Sequence, residues 1–266
     1  MPAVRLESVS KVFRHRPALF NWLGREREGE TRALDRITLE APSGSVLVLL
    51  GPNGSGKTTT LKLMSTMLLP DEGRVLVQQY DTCRDSRAVR ERVGFAVATE
   101  RSFFPRLSAH ENLDFFASLD DVPRKTRGGR VDELLARTGL SDAADTLVMK
   151  FSSGMYQRLG IARALMKRPA VVLLDEPTRS LDPGSAAQFW NLVRELPAQG
   201  TTVILTTHNF NEAVAVGNHV AILFKGTLAA ERKLSATMRV DELRSFYFQT
   251  TGELEEVEPV AARSLR

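Results

Sequence analysis

Cysteine is almost absent from this chain: Cys83 stands alone among 266 residues. One thiol closes no intrachain disulfide and builds no zinc site alone, so a disulfide-stapled scaffold is excluded and a reducing compartment suits the protein. The plain reading of Cys83 is a small buried or surface thiol. Long hydrophobic runs are missing too. The longest, such as Val46 to Leu50 and Val171 to Leu174, hold about five residues, against the ~18 to 20 that a bilayer-crossing helix needs. The opening Met1-Pro-Ala-Val-Arg-Leu-Glu lacks the apolar stretch of a secretory signal, so the expectation is a protein that stays in the cytoplasm. Neither sign of charge dominates. With 36 basic and 32 acidic residues the net charge is +4, too slight to argue for nucleic acid.

What is there is ordinary for a folded globule: 42% hydrophobic and 26% charged residues exclude a disordered chain. The length suits one large domain or two small ones. Basic residues cluster at Arg84, Arg87, Arg90 and Arg92 and again from 124 to 130, and the tail from 253 to 258 is acidic. Such runs are read as solvated faces.

Four short apolar runs, Val46 to Leu50, Ala170 to Leu174, Val203 to Leu205 and Val220 to Phe224, lack polar alternation. They read as strands buried on both faces of a parallel sheet. Helical patterns between them, over Thr58 to Leu68 and Ala186 to Leu196, predict an α/β fold. The first forty residues differ. Val4 to Phe13 and Ile37 to Glu40 read as half-buried strands of a small antiparallel subdomain, with Arg14 to Glu30 as an inserted charged loop. Residues 103 to 154 carry helical spacing, as in Leu113, Phe116 and Leu119, and predict a helical insertion. After Gly226 the sheet pattern fades into a charged tail.

Gly51-Pro52-Asn53-Gly54-Ser55-Gly56-Lys57-Thr58, followed by Thr59, joins the first buried strand to a helix, the setting that a phosphate-binding loop requires. Glycines let the backbone curl so that successive N–H groups face one phosphate, and the helix N-terminus adds about half a positive charge. Lys57 is positioned to neutralise phosphate charge and Thr58 to offer a hydroxyl to a magnesium ion. The run Ala170 to Leu174 ends in Asp175-Glu176, at the carboxyl end of a strand, where open α/β sheets bind ligands. Asp175 is the candidate to hold Mg²⁺, and Glu176 to accept a proton from an attacking water.

Further residues give the chain a family resemblance. Phe151-Ser152-Ser153-Gly154-Met155 opens a helix expected to run to Arg168, Asp175-Glu-Pro-Thr178 is followed by Ser180-Leu181-Asp182, and Thr206-Thr-His208 ends the next strand. In this order and spacing the sequence resembles the ATP-binding subunit of an ABC transporter over roughly residues 4 to 230. The resemblance implies the P-loop ABC ATPase fold over 1–235, with a mainly parallel sheet, an N-terminal antiparallel β-subdomain and a helical subdomain inserted at about 100–160; 236–266 is left as the charged tail.

It also implies roles. ATP and Mg²⁺ are the expected ligands, with Ser152, Ser153 and Gly154 as the signature, Asp182 in the D-loop and His208 as the switch histidine, catalytic together with Glu176 and Lys57. Phe13 is the candidate to stack on adenine, core packing being its other reading. The implied assembly is a head-to-tail dimer around two ATP, bound to a separate membrane-spanning permease subunit at the cytoplasmic face of the membrane, with no nucleic-acid partner. The Ser-Ser-Gly-Met signature with the Glu-Arg-Ser-Phe loop looks like the ABC-2 exporter branch.

Three features depart from the family pattern: the signature, the residue beside the D-loop and the loop after Phe95. Ser153 and Met155 replace a glycine and a glutamine of the usual signature, and Arg179 stands where a small residue is usual. After Val93-Gly94-Phe95 no glutamine follows; either Glu100 takes its place as a Mg²⁺ ligand or the loop is structural. Two other functions compete. A soluble ABC-type ATPase acting on nucleic acid or in assembly has only the basic clusters in its favour, and a P-loop kinase or GTPase leaves the signature and His208 unexplained.

Overall fold

In the computed structural model, residues 1–15, 29–97, 102–179 and 181–253 are described. Two sheets and a set of helices build the molecule. The smaller, antiparallel sheet has the order β2-β1-β4-β5, with β1 Pro2–His15, β2 Gly29–Pro42, β4 Glu72–Val77 and β5 Tyr80–Asp81. β1 and β2 are long and pair along their length despite several register shifts.

The larger sheet has the order β10-β9-β3-β8-β7-β6, from β3 Val46–Leu50, β6 Val93–Val97, β7 Val171–Asp175, β8 Thr202–Thr207, β9 His219–Phe224 and β10 Thr227–Lys233. All its pairs are parallel except β9 with β10. The four apolar runs read from the sequence are its strands β3, β7, β8 and β9.

Why those runs lack alternation is visible in how they pack. Successive side chains of a strand point to opposite faces. On β3, Val46, Val48 and Leu50 join one core with helices of the insertion, while Leu47 and Leu49 join a second core shared with the antiparallel sheet. The same division runs through Val172 and Leu174 against Val171 and Leu173 on β7. Both faces are dry, so each position is apolar. Each such buried Leu or Val contributes ~1.5 to 3 kcal/mol of transfer free energy.

Helix α1 Lys57–Met64 follows β3, α2 Ser86–Arg92 precedes β6, and the insertion holds α3 Ala109–Leu119, α4 Arg124–Arg137 and α5 Ser153–Ala164. α6 Pro183–Glu195, α7 Phe210–Val216 and α8 Val240–Thr251 complete the set. A capping box starts α3: the Ser108 hydroxyl accepts from the Glu111 N–H at 3.1 Å, and the Glu111 carboxylate accepts from the Ser108 N–H at 2.7 Å.

Two helices end earlier than their apolar spacing predicts. α1 stops at Met64 because Thr66 takes a left-handed φ of 65° and the Leu68 N–H folds back onto the Lys62 carbonyl. α5 stops at Ala164, not Arg168, because the buried Arg130 guanidinium donates to the Leu165 and Met166 carbonyls, replacing the continuation of the helix as their partner.

The reading of a charged tail after Gly226 needs correction. β10 extends the sheet, and α8 packs Leu243 and Tyr247 into the core, with the Tyr247 ring 5.4 Å from Phe210. The charges of 227–251 mask apolar residues that face inward. Among the described residues, no helix is long and apolar enough to cross a membrane.

Candidate functional site

The loop 51–56 leaves β3 at the carboxyl edge of the parallel sheet. Gly51 sits so close to β9 that a Cβ would lie 2.2 Å from the Leu223 carbonyl oxygen. Gly56, the residue before α1, has φ 104°, a conformation that L side chains rarely adopt. These glycines are therefore required by the backbone path. The result is a turn that leads into the N-terminus of α1 and holds Lys57, only 5% exposed, at its base.

Among the described residues, Lys57 has no carboxylate partner within ion-pair distance. Its ammonium donates to the Gly51 carbonyl at 2.8 Å and the Pro52 carbonyl at 2.9 Å. Burial pulls its pKa down, while the nearby Glu176 and then Asp175 charges act in the opposite direction. The Ser55 hydroxyl is also buried and has no hydrogen-bond partner among the described residues. A buried cation and an unsatisfied hydroxyl on a curled, glycine-rich loop make a cradle suited to an anion.

Next to it lies a compact oxygen cluster. The Thr58 hydroxyl donates to the Asp175 carboxylate, with both oxygens at 3.0 Å, and the Thr206 hydroxyl donates to Asp175 Oδ1 at 2.6 Å. Asp175 is 7% exposed, so these bonds replace most of its water. The pairing β7 to β8 sets Asp175 directly across from Thr206. Among the described residues no group of three or more His, Cys, Asp or Glu gathers anywhere. One carboxylate and one hydroxyl are instead the donor set that suits Mg²⁺, which keeps most of its waters and takes the rest from phosphate.

Beyond the strand end the chain turns sharply. Glu176 has φ 46°, and its N–H donates to the Thr206 carbonyl at 3.2 Å and hydroxyl at 3.0 Å. Its carboxylate meets His208 Nδ1 at 3.3 Å through Oε1 and Arg179 Nη1 at 3.2 Å through Oε2. From α5, the Gln157 amide donates to the carbonyls of Glu176 and Pro177, tying the helix that begins at Ser153 to this turn.

The structure thus brings Lys57, Thr58, Asp175, Glu176 and His208 together, as the motifs predict. It does not join every expected residue to them. Ser152 caps α5, its hydroxyl accepting from the Met155 N–H at 3.2 Å, and both it and Ser153 are exposed. No hydrogen bond links Ser152, Ser153 or Gly154 to the 51–58 loop among the described residues. Asp182 caps α6 through the Gly184 and Ser185 N–H groups at 3.0 Å, and bonds from Ser185 hold its carboxyl below the usual range. Phe13 is half-buried on β1, opposite Thr31, with Lys11 Nζ 5.9 Å from its ring centre. Glu100 and Ser180 lie outside the described residues.

Three contributors were given no role by the motif reading, although Thr206 stands within one of its motifs. Thr206, Gln157 and Glu212 all act behind the site. Thr206 and Thr207 carry a faint signal, since hydroxyls at the end of an otherwise apolar buried strand need acceptors there. Glu212 on α7 is 1% exposed, and burial pushes its pKa up against the influence of Thr207, Thr178, Trp190 and His208. The basic clusters, in turn, are largely exposed, and several of their members are paired within the chain. Arg87 pairs with Glu91 at 3.2 Å, Arg92 lies 4.2 Å over the Tyr80 ring, and Arg127 bonds the Val122 carbonyl.

Comparison with known proteins settles the family. The model of the ABC transporter family matches residues 34–179, more than half of the chain. The chain belongs to the ABC transporter family. The daunorubicin resistance ATP-binding protein DrrA3 of Streptomyces coeruleorubidus is 39% identical over 206 residues, covering 77% of this chain and 65% of that protein. The daunorubicin/doxorubicin resistance ATP-binding protein DrrA of Streptomyces peucetius is 38% identical, covering 76% and 61%. The chain therefore spans a little under two thirds of the length of these curated relatives. Among solved structures, a dimeric post-hydrolysis state of the ATP-binding cassette MJ0796 with ADP and Pi superposes with a TM-score of 0.74 at 27% identity, covering 87% of this chain and 99% of that one. The expected fold, an ABC cassette with a mainly parallel sheet, is the fold observed.

Proposed function

We propose that this cassette is the ATP-binding and ATP-hydrolysing subunit of an ABC exporter. One observation carries the reading: the Thr58–Asp175–Thr206 oxygen cluster stands beside a buried Lys57 bonded only to loop carbonyls among the described residues, and a Glu176 held by His208. That arrangement fits a nucleotide phosphate chain on one side and a water on the other. The DrrA relatives are named for daunorubicin and doxorubicin resistance, which supports export of small molecules.

Each residue has a task in this scheme. Lys57 leaves the Gly51 and Pro52 carbonyls and places its charge on the β- and γ-phosphates. Loop N–H groups and the start of α1 hold the same phosphates. Thr58 and Asp175 would hold Mg²⁺, which when bound spreads the charge building up on the phosphates. Glu176 takes the proton of the attacking water while oxygen of that water bonds to the γ-phosphorus and the bond to ADP breaks. His208, on Oε1 of Glu176, orients that carboxylate.

Two copies then close head to tail, each offering the Ser152–Gly154 helix start to the other's ATP, and a separate membrane-spanning subunit converts closure into transport. This places the protein at the cytoplasmic face of the membrane. The dimeric state of the MJ0796 cassette supports the pairing of two copies. In the same scheme Phe13 stacks on adenine, Asp182 lines the dimer face, and Glu100 supplies the oxygen that a glutamine offers elsewhere.

The test is Glu176→Gln. An amide cannot accept the proton, so turnover should fall by ~10²-fold or more while ATP binding persists, and gel filtration with ATP and Mg²⁺ should show a trapped dimer. Turnover at the wild-type rate would remove Glu176 from this role.

A further inference from the structure

We infer that Arg179 is a second positioning residue for Glu176, fixing the plane of the carboxylate from the side opposite His208. The inference rests on the reading of Glu176 as the base. The terminal torsion of a glutamate side chain is broad and roughly two-fold, so a carboxylate held at one oxygen swings about that contact. Here the two oxygens have different anchors: Oε1 faces His208 Nδ1 at 3.3 Å and Oε2 faces Arg179 Nη1 at 3.2 Å. Two anchors on separate atoms leave one orientation, with the remaining lone pairs free for a water.

The backbone prepares this contact. The Arg179 N–H donates to the Glu176 carbonyl at 3.2 Å, closing a turn over Pro177 and Thr178. Gln157 holds the same carbonyl from the α5 side. The turn therefore delivers the guanidinium to its own carboxylate three residues back, and no distant element has to place it. Glu176 is 14% exposed at its side chain, whereas Arg179 is 58% exposed. An exposed arginine on a nearly buried carboxylate is a contact that can yield, because solvent competes for the guanidinium far more than for the acid. It orients without locking.

Lys57 is also near Glu176, but its ammonium donates to the Gly51 and Pro52 carbonyls and turns to the phosphates in the proposed scheme. Arg179 instead bonds the carboxylate itself, on the oxygen that His208 does not face. Misplacing a reacting group slightly costs an order of magnitude or more in rate while leaving substrate contacts elsewhere intact. Among the described residues no hydrogen bond or ion pair joins Arg179 to the residues that cradle the phosphates, so its loss belongs in kcat.

The experiment is a small cycle on the full chain, with ATPase kinetics, thermal melting and ATP-dependent gel filtration for each variant. Arg179→Ala should lower kcat about tenfold with KM for ATP within about twofold, and with unchanged melting and dimer fraction. Arg179→Lys should recover most of the rate, since an ammonium reaches the same oxygen. In a Glu176→Gln background, Arg179→Ala should change the residual rate by less than about twofold, because the two residues act as one unit. A wild-type kcat in Arg179→Ala, an equal loss in both backgrounds, or a loss expressed through melting or dimerisation overturns the inference while leaving Glu176 as the base. Full turnover in Glu176→Gln alone instead overturns the reading beneath it.

Discussion

At the residue scale the site is a set of buried polar groups that satisfy one another or await a ligand. Thr206 shows the first kind. Its hydroxyl donates to Asp175 Oδ1 at 2.6 Å and also accepts from the Glu176 N–H, so Thr206→Val leaves a buried carboxylate short of a donor. The expected cost is about 1 to 3 kcal/mol, read as a lowered melting temperature, with Ser at the same position retaining most of the stability. Lys57 shows the second kind. Lys57→Ala should weaken ATP binding at least about tenfold by calorimetry, because the charge that offsets phosphate repulsion is gone; unchanged affinity would remove it from the site.

Glu212 adds a pH dependence at this scale. Burial raises its pKa from the ordinary 4.5, so the folded protein holds a proton that the unfolded chain has released. Its contribution is complete below the unfolded value and is lost as pH climbs through the raised one. Glu212→Gln keeps the shape without the ionisation. Its melting temperature relative to wild type should therefore rise between pH 4 and pH 8, and a constant difference over that range would contradict the buried charge.

At the scale of elements, strands were easier to read than helix ends. Strands β3, β7, β8 and β9 announced themselves because burial on both faces removes polar residues altogether. Helix boundaries depend on partners that are remote in sequence. Nothing near Ala164 announces that Arg130, more than thirty residues away, will take the carbonyls beyond it. β10 and α8 were hidden for a related reason, since β10 only half-buries Leu228 and Ala230, and α8 buries Leu243 and Tyr247 among charged neighbours. Gly94 illustrates a packing constraint of the same order: on β6 its Cβ position lies 1.9 Å from the Ala164 carbonyl oxygen. Gly94→Ala must push α5 off the sheet, and should cost about 1 to 3 kcal/mol by chemical denaturation. Because α5 also carries Gln157 to the Glu176 turn, its ATPase rate should fall with the stability.

At the scale of the whole molecule, the motif residues divide into two groups that one chain leaves apart. Lys57, Thr58, Asp175, Glu176 and His208 meet at the carboxyl edge of the parallel sheet, while Ser152 and Ser153 are exposed at the start of α5, and among the described residues no hydrogen bond joins Ser152–Gly154 to the loop 51–58. The first group was legible because Asp175, Glu176 and His208 follow buried strand ends and Lys57 and Thr58 close a glycine-rich loop that opens a helix. The placement of the second was not, since spacing along one chain says nothing of a second copy. A head-to-tail dimer accounts for this division and makes a prediction about mixtures. Gly154→Asp sets a carboxylate against the partner's γ-phosphate, and Lys57→Ala empties its own loop, so each homodimer carries two broken sites. In a mixed dimer both lesions fall in one composite site, formed by the Lys57→Ala loop and the Gly154→Asp helix, and the other site is intact. Mixing the two inactive proteins should restore ATPase, up to about half the wild-type rate per mixed dimer if the sites turn over independently. If each site is instead built within one chain, every site in the mixture is broken, and activity stays at the level of the parents.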